Sequence, residues 1–281
     1  MYKRQHLGFH PGLPPHAIAA GADAMVTSAH KALPAYTQGA LVLARTGLLD
    51  PARLDRAFEA THTTSPAGTI AASIDAARAL LARDGTALCA RLLRLTAAGR
   101  RLAGVPGAGV LDGPGVEPTK LVVLLAGTGA HGNVIEADLV AAGMPVEMAD
   151  RDTIIPILTI ADDEAAVDRF TDVLVAAIER HRGAPRRPVP SPAWTVTPQM
   201  ALPPREAFFA PNETVGADAA VGRISAELVA PYPPGVPVLA PGEIITAEAL
   251  AALRAAHAER SRIAYAADPT LATLQVITAA R

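Results

Sequence analysis

Two glycine- and proline-rich stretches, Gly104 to Pro118 and Gly183 to Pro204, constrain this chain more than any other feature. Proline lacks the N–H that a helix or a central strand needs, and glycine weakens both. No continuous helix bundle or single sheet can run through them. Gly104 to Pro118 is therefore read as a boundary. Gly183 to Pro204, with Pro185, Pro188, Pro190, Pro192, Pro198, Pro203 and Pro204, is read as an extended linker. On either side, short apolar runs of strand length alternate with longer stretches at helical spacing, which predicts an α/β fold.

Hydrophobic residues make up 50% of the 281 residues but aromatics only 4%, so the core is expected to be aliphatic: sheet covered by Ala-rich helices. The formal net charge is -2 and no long basic run occurs. The pairs Arg100–Arg101 and Arg186–Arg187 are too short for a nucleic-acid footprint and are expected to be solvated. No run reaches the roughly 18 apolar residues of a membrane span, and the polar Met1 to Gln5 does not begin a signal peptide. The single cysteine, Cys89, cannot form an internal disulfide, which fits a cytoplasmic setting. The eight histidines show no metal-ligand spacing, and no metal is expected.

Along the chain, Ala22 to Thr27 and Gly39 to Ala44 read as strands. Asp50-Pro51 supplies the N-cap and N1 of a helix reaching Thr61. Ile70 to Arg83 and Leu88 to Leu102 have helical spacing. Strands are expected at Leu121 to Leu125, Val146 to Met148 and Ile154 to Ile160, with a helix over Val134 to Ala142. Asp162, Asp163 and Glu164 open a helix to about His181, where acids complement the dipole. Beyond the linker, where Trp194 is expected to anchor on a domain surface, helices are predicted for Asp218 to Leu228 and Ala247 to Ala258. A short strand is predicted for Val236 to Leu239.

The chemistry-bearing constellation is Ser28-Ala29-His30-Lys31 at the end of the first strand. Ser and His side chains can donate to a phosphate oxygen. A lysine held in a pocket can lose its proton, and the neutral amine is a nucleophile toward an aldehyde. The surrounding run, Phe9-His10-Pro11 and then Gly21-Ala22-Asp23 through Lys31 to Thr37-Gln38, resembles the cofactor-attachment region of the ornithine/lysine/arginine decarboxylases, enzymes dependent on pyridoxal 5'-phosphate (PLP). Thr61-His62-Thr63-Thr64-Ser65-Pro66 is similar to that family's "HTTTSP" segment, one residue shorter. Gly222-Arg223-Ile224-Ser225-Ala226-Glu227, Pro231-Tyr232-Pro233-Pro234-Gly235, Pro241-Gly242-Glu243 and Ala267-Asp268-Pro269-Thr270 are similar to its C-terminal signature.

The resemblance implies α-decarboxylation of a basic amino acid (arginine, lysine or ornithine) to the amine and CO2. PLP would be anchored on Lys31. Ser28 and His30 would lie beside its phosphate, and Thr63 would reach that phosphate from a partner subunit, which requires at least a homodimer. Glu243, ahead of Glu227, is the candidate for the substrate's cationic end. The implied fold is α/β: the C-terminal part of a PLP fold type I large domain over 1–112, a small α/β domain over 113–184, the linker 185–204, and a C-terminal α+β domain over 205–281.

His6-Leu7-Gly8-Phe9-His10-Pro11 resembles the middle of a "DEAHGAHLGFHP"-like pattern, and Met1 to Gln5 have no counterpart in it. The chain is accordingly expected to be a truncated, inactive form whose first five residues are foreign. Two other readings stand beside this one. Gly127-Thr128-Gly129-Ala130-His131-Gly132 follows an apolar run as a G-x-G-x-x-G, with Glu147 some distance on, the pattern of a nicotinamide-dependent oxidoreductase. A non-catalytic homologue that only oligomerises is the third.

Overall fold

The computed structural model describes residues 8–45, 47–113, 115–188, 192–232 and 235–278. Met1 to His6, Pro190, Pro233 and Pro234, which figure in the sequence reading, lie outside the described residues. The fold is mixed α/β. The chain divides into two compact units: residues 1–101, 110–121 and 157–171 form one, and residues 102–109, 122–156 and 172–281 the other.

The first unit begins with β1 (Ala24–Ser28), a single helical turn α1 (Ala29–Ala32) and β2 (Ala40–Ala44). The two strands pair antiparallel, Ala24 opposite Ala44 and Ser28 opposite Ala40. Next comes α2 (Pro51–Thr61), whose N-cap Asp50 accepts a hydrogen bond from Ala52 N at 2.9 Å, as Asp-Pro predicts. The two helical stretches expected between Ile70 and Leu102 are one helix, α3 (Gly68–Gly99), closing in a 3₁₀ turn over Arg100–Gly104. Asp84-Gly85-Thr86 lowers local propensity, but packing overrides it. Ile74, Ala77 and Leu81 bury the near half of the helix against the β1–β2 hairpin. Leu92 and Leu95 bury the far half against Leu121, Leu158, Ile160 and Val167. These positions recur at helical spacing, so one stripe serves both contacts.

The second unit contains β4 (Val123–Leu124), α4 (Gly132–Ala141), β5 (Met148–Ala149), β6 (Thr153–Ile155) and the half of α5 (Glu164–Arg180) from residue 172 on; β3 (Gly109–Val110) lies at the division, and the sheet order is β3-β4-β6-β5. The strands are shorter than their apolar runs suggest. Pro156 has no N–H to donate, and it ends β6 where Ile154 to Ile160 reads as one strand. The order has a functional consequence. β6 lies between β4 and β5 and pairs antiparallel with both, so β4-α4-β5 is not the adjacent parallel unit that a dinucleotide fold requires.

The rest of this unit comprises α6 (Pro204–Phe209), β7 (Asn212–Gly216), β8 (Ala230–Tyr232), α7 (Ala247–Ala258), β9 (Arg262–Ala264) and β10 (Thr273–Ile277). β7 pairs with β10 and β8 with β9, both antiparallel. Leu250 and Leu253 of α7 meet Val229, Leu239, Ile245, Ile263, Leu274 and Val276 in one core. The helix expected over Asp218 to Leu228 is a 3₁₀ turn at Ala217–Ala220, followed by extended chain. Ser225 and Glu227 explain the difference. Ser225 O–H donates to Glu227 O at 2.8 Å, and its backbone N–H donates to Glu243 O. Such local bonds compete with helix. The expected strand Val236 to Leu239 is reduced to a bridge between Leu239 and Val229.

The Pro-rich stretch is fastened rather than free. Ala193, not Trp194, enters the core; the indole remains half exposed. Arg186, expected in solvent, is the main fastening. Its guanidinium donates to Gly129 O and Ala130 O at 2.6 Å, to Arg151 O at 2.8 Å and to Asp152 Oδ1 at 2.8 Å. Arg100 and Arg101 also have acid partners, Asp112 at 2.5 Å and Asp168 at 2.7 Å.

Candidate functional site

Lys31 sits in the turn of the β1–β2 hairpin, and the local sequence explains how it is presented. Ala29 and Leu33 are four residues apart, so they fall on one side of the turn and pack on Ile74, Ala77 and Leu81 of α3. Burying Leu33 contributes roughly 2 kcal/mol. His30 and Lys31, between them, are directed elsewhere and remain half-buried. The far end of the turn is also fixed. Tyr36 N donates to Ser73 Oγ of α3 at 3.0 Å, and Gly39 O accepts both Ala29 N at 2.8 Å and His30 Nδ1–H at 3.0 Å. Gly39 is required by close approach, since a Cβ there would press on Tyr36 O at 3.1 Å and Ile74 at 3.2 Å.

Three groups in this turn are therefore held but uncommitted. Among the described residues no hydrogen bond or ion pair occupies Lys31 Nζ or the Ser28 hydroxyl. The Gly39 bond fixes the His30 ring through Nδ1 and leaves Nε2, which can donate to an anion when the ring is protonated. An amine, a hydroxyl and an imidazole edge make a donor set suited to an aldehyde that carries a phosphate.

The other expected residues have different settings. Thr63 lies in the exposed link between α2 and α3, where its Oγ1 accepts from Ser65 N at 3.3 Å, a turn role; no bond joins it to Ser28, His30 or Lys31 among the described residues. Glu243 belongs to the second unit. Its Oε2 accepts Ala240 N at 2.7 Å and closes the turn through Gly242 (φ +96°). Glu227 is buried, with both oxygens engaged: Gln275 N donates to Oε1 and Ala267 N to Oε2, each at 2.7 Å. That carboxylate ties β10 and the preceding loop together.

The glycine turn that suggests a dinucleotide is filled by protein. A Cβ on Gly127 would overlap Gly107 O; on Gly129 (φ +72°), the Gly183 carbonyl; on Gly132, Asp150 O. The backbone that a pyrophosphate would approach is already packed on backbone. Arg186 and Asp152 close the same region, and sequence reading missed both. Burial alone would raise the Asp152 carboxyl, but hydrogen bonds from Arg151 and Arg186 hold it below the usual carboxylate range. No group of three metal-capable side chains occurs among the described residues. None of their helices is long and apolar enough to cross a membrane.

The hairpin pins an unpartnered lysine beside a hydroxyl and an imidazole in a mixed α/β scaffold, a set of groups able to hold a carbonyl compound through an amine. The particular family is given by comparison with known proteins. The profile described as Orn/Lys/Arg decarboxylase, major domain, matches residues 4–104, and that of the Orn/Lys/Arg decarboxylase C-terminal domain matches residues 190–262. The chain belongs to the Orn/Lys/Arg decarboxylase family. It is 33% identical to an arginine decarboxylase of Halalkalibacterium halodurans over 97% of its own length and 58% of that protein's. It is also 33% identical to an arginine decarboxylase of Bacillus subtilis, over 86% of this chain and 52% of the relative. Among solved structures, lysine decarboxylase A from Pseudomonas aeruginosa superposes with a TM-score of 0.72 at 20% identity, covering 91% of this chain and 49% of that one. That likeness concerns the fold. The chain thus spans little more than half the length of the curated relatives it matches.

Proposed function

We propose that the protein takes part in PLP-dependent α-decarboxylation of a basic amino acid, arginine first among the candidates, with Lys31 as the covalent anchor of the cofactor. The observation that carries this is the uncommitted Lys31 Nζ on a turn immobilised from both ends, within the segment matching the family's major domain. The relatives named arginine decarboxylase support the substrate class.

PLP, when bound, supplies the sink for the electron pair released as the bond from Cα to the carboxylate breaks. This chain's residues do the rest of what is proposed here. Lys31 Nζ would be the amine that holds the cofactor through its carbonyl. Ser28 O–H and His30 Nε2–H are donors to the phosphate, and the Gly39 bond keeps the imidazole from turning away. Ala29 and Leu33, locked on α3, keep the turn from moving relative to that helix, which preserves the orientation such chemistry needs. Thr63 is assigned to the phosphate of a second copy, in a homodimer or larger assembly. Glu243, with Oε1 uncommitted, is assigned to the cationic end of the substrate. A cytoplasmic location and amine biosynthesis accompany this reading.

The experiment is reconstitution with PLP, borohydride trapping and peptide mapping. Label on Lys31, lost in Lys31→Ala, is expected; label elsewhere sinks the site assignment. Lys31→Ala in a turning-over enzyme should cost at least about a thousandfold in kcat, as expected for removal of a covalent catalyst. Tight NADH binding without a PLP adduct would favour the oxidoreductase reading. A labelled Lys31 in a full-length protein that never releases CO2 would favour the non-catalytic homologue.

A further inference from the structure

At the end of α7 the second unit opens a cleft of about 460 Å³, lined by His257, Arg260, Ser261, Arg262, Tyr265 and Pro269 among others. No Asp or Glu is among its lining residues. Elsewhere in the unit, Arg151, Arg180, Arg182, Arg186, Arg223 and Arg254 each pair with a carboxylate. Arg260 and Arg262 have no ion pair or hydrogen-bond acceptor for their side chains among the described residues, nor does His257. The neighbouring acids are engaged elsewhere: Glu259 with His131 and Arg151, Asp268 with Thr270 and Thr273. Exposed guanidinium groups without acid partners, lining one open concave surface, concentrate positive potential there.

The backbone adds an independent observation. α7 ends with Ser261 N donating to Ala256 O and Arg260 N to His257 O, which places Arg260 in the left-handed region at φ +63°. Glycine or asparagine usually fills that position. Tyr265, past the other end of β9, is also left-handed at φ +68°. Two large side chains thus hold conformations that favour glycine, and both face the same cleft. Such outliers gather at ligand sites.

We propose that this cleft binds a phosphorylated small molecule. Arg260 and Arg262 hold the phosphoryl oxygens, since the planar guanidinium matches that geometry with two parallel bonds. His257 and Ser261 supply further donors, and Tyr265 and Pro269 flank the organic part. A volume near 460 Å³ exceeds what a bare phosphate fills and lies in the usual range for small-molecule sites. Lys31 is not among the residues lining this cleft, and the proposal stands whether or not Lys31 carries a cofactor.

The test is calorimetric titration of the 281-residue chain with phenyl phosphate, and in parallel with benzoate, at low ionic strength. Saturable binding of phenyl phosphate, weakened about tenfold in Arg260→Gly and in Arg262→Ala, is expected from loss of charge-assisted bonds. Arg260→Gly should melt no lower than the parent, because glycine suits the left-handed backbone, so a folding defect cannot mimic the result. Absence of saturable binding overturns the proposal. So does phenyl phosphate binding that survives both substitutions, as binding beside Lys31 would. Benzoate binding as tightly as phenyl phosphate assigns the cleft to carboxylates and overturns the phosphoryl assignment.

Discussion

At the residue scale, Arg186 shows how one side chain can close a unit. It spans two carbonyls of the glycine turn, one of the turn before β6, and the Asp152 carboxylate. Arg186→Ala removes the donor to Gly129 O, Ala130 O and Asp152 Oδ1, while Arg151 keeps Asp152 Oδ2 and Gly132 N keeps Arg151 O, and should cost roughly 1–3 kcal/mol in denaturant unfolding. The same contact predicts acid sensitivity. Asp152 is held below the usual carboxylate range once the bonds from Arg151 and Arg186 have outweighed burial. Its contribution is present above the unfolded carboxylate value of about 4 and is lost as pH falls through the lower folded value. Melting curves of the parent should therefore fall below about pH 4, and Asp152→Asn should start lower at neutral pH and fall less steeply. An unchanged slope in the variant would refute the assignment.

At the scale of elements, α7 organises the C-terminal core, and its start is set by one hydroxyl. Thr246 Oγ1 accepts from Ala249 N at 3.0 Å. Thr246→Ala should lower stability by about 1 kcal/mol, and Thr246→Ser should restore most of it, measured by urea unfolding. α2 is different. It has a capped start and an alternating polar face, yet none of its residues is buried within this chain. Its helical character comes from local signals, Asp50-Pro51 above all, and no packing in this chain confirms it. The hairpin lies between these cases: strand propensity forms it, and α3 determines which way its turn faces.

At the scale of the whole molecule, β1 pairs with β2 alone among the described residues, and Val26 in its middle is 74% exposed. An exposed apolar residue on an unpaired two-stranded edge is a point where chains can associate. The 281-residue chain by itself is therefore expected to associate or to bind ANS, and Val26→Thr should reduce both, read by sedimentation and dye fluorescence.

Much of this was legible in the sequence wherever the signal is local. Asp50-Pro51, the spacing of Ala247 to Ala258 and the Ser28-Ala29-His30-Lys31 turn depend on neighbours a few residues away, so capping, periodicity and motif resemblance locate them. Partners distant in sequence were not legible. Whether Arg186 is solvated or buried, and whether Glu227 faces substrate or staples β10, depends on which backbone amides and carbonyls arrive beside it. The glycines from Gly127 to Gly132 make the same point, since their pattern fits a nucleotide turn equally well. Only the order β3-β4-β6-β5 and the backbone packed on each glycine decide that they serve the fold. The sequence by itself determined the family and located the Ser28-Ala29-His30-Lys31 turn, because those reside in contiguous residues. The tertiary structure decided which polar side chains are left uncommitted, because hydrogen-bond satisfaction is a property of what meets in space.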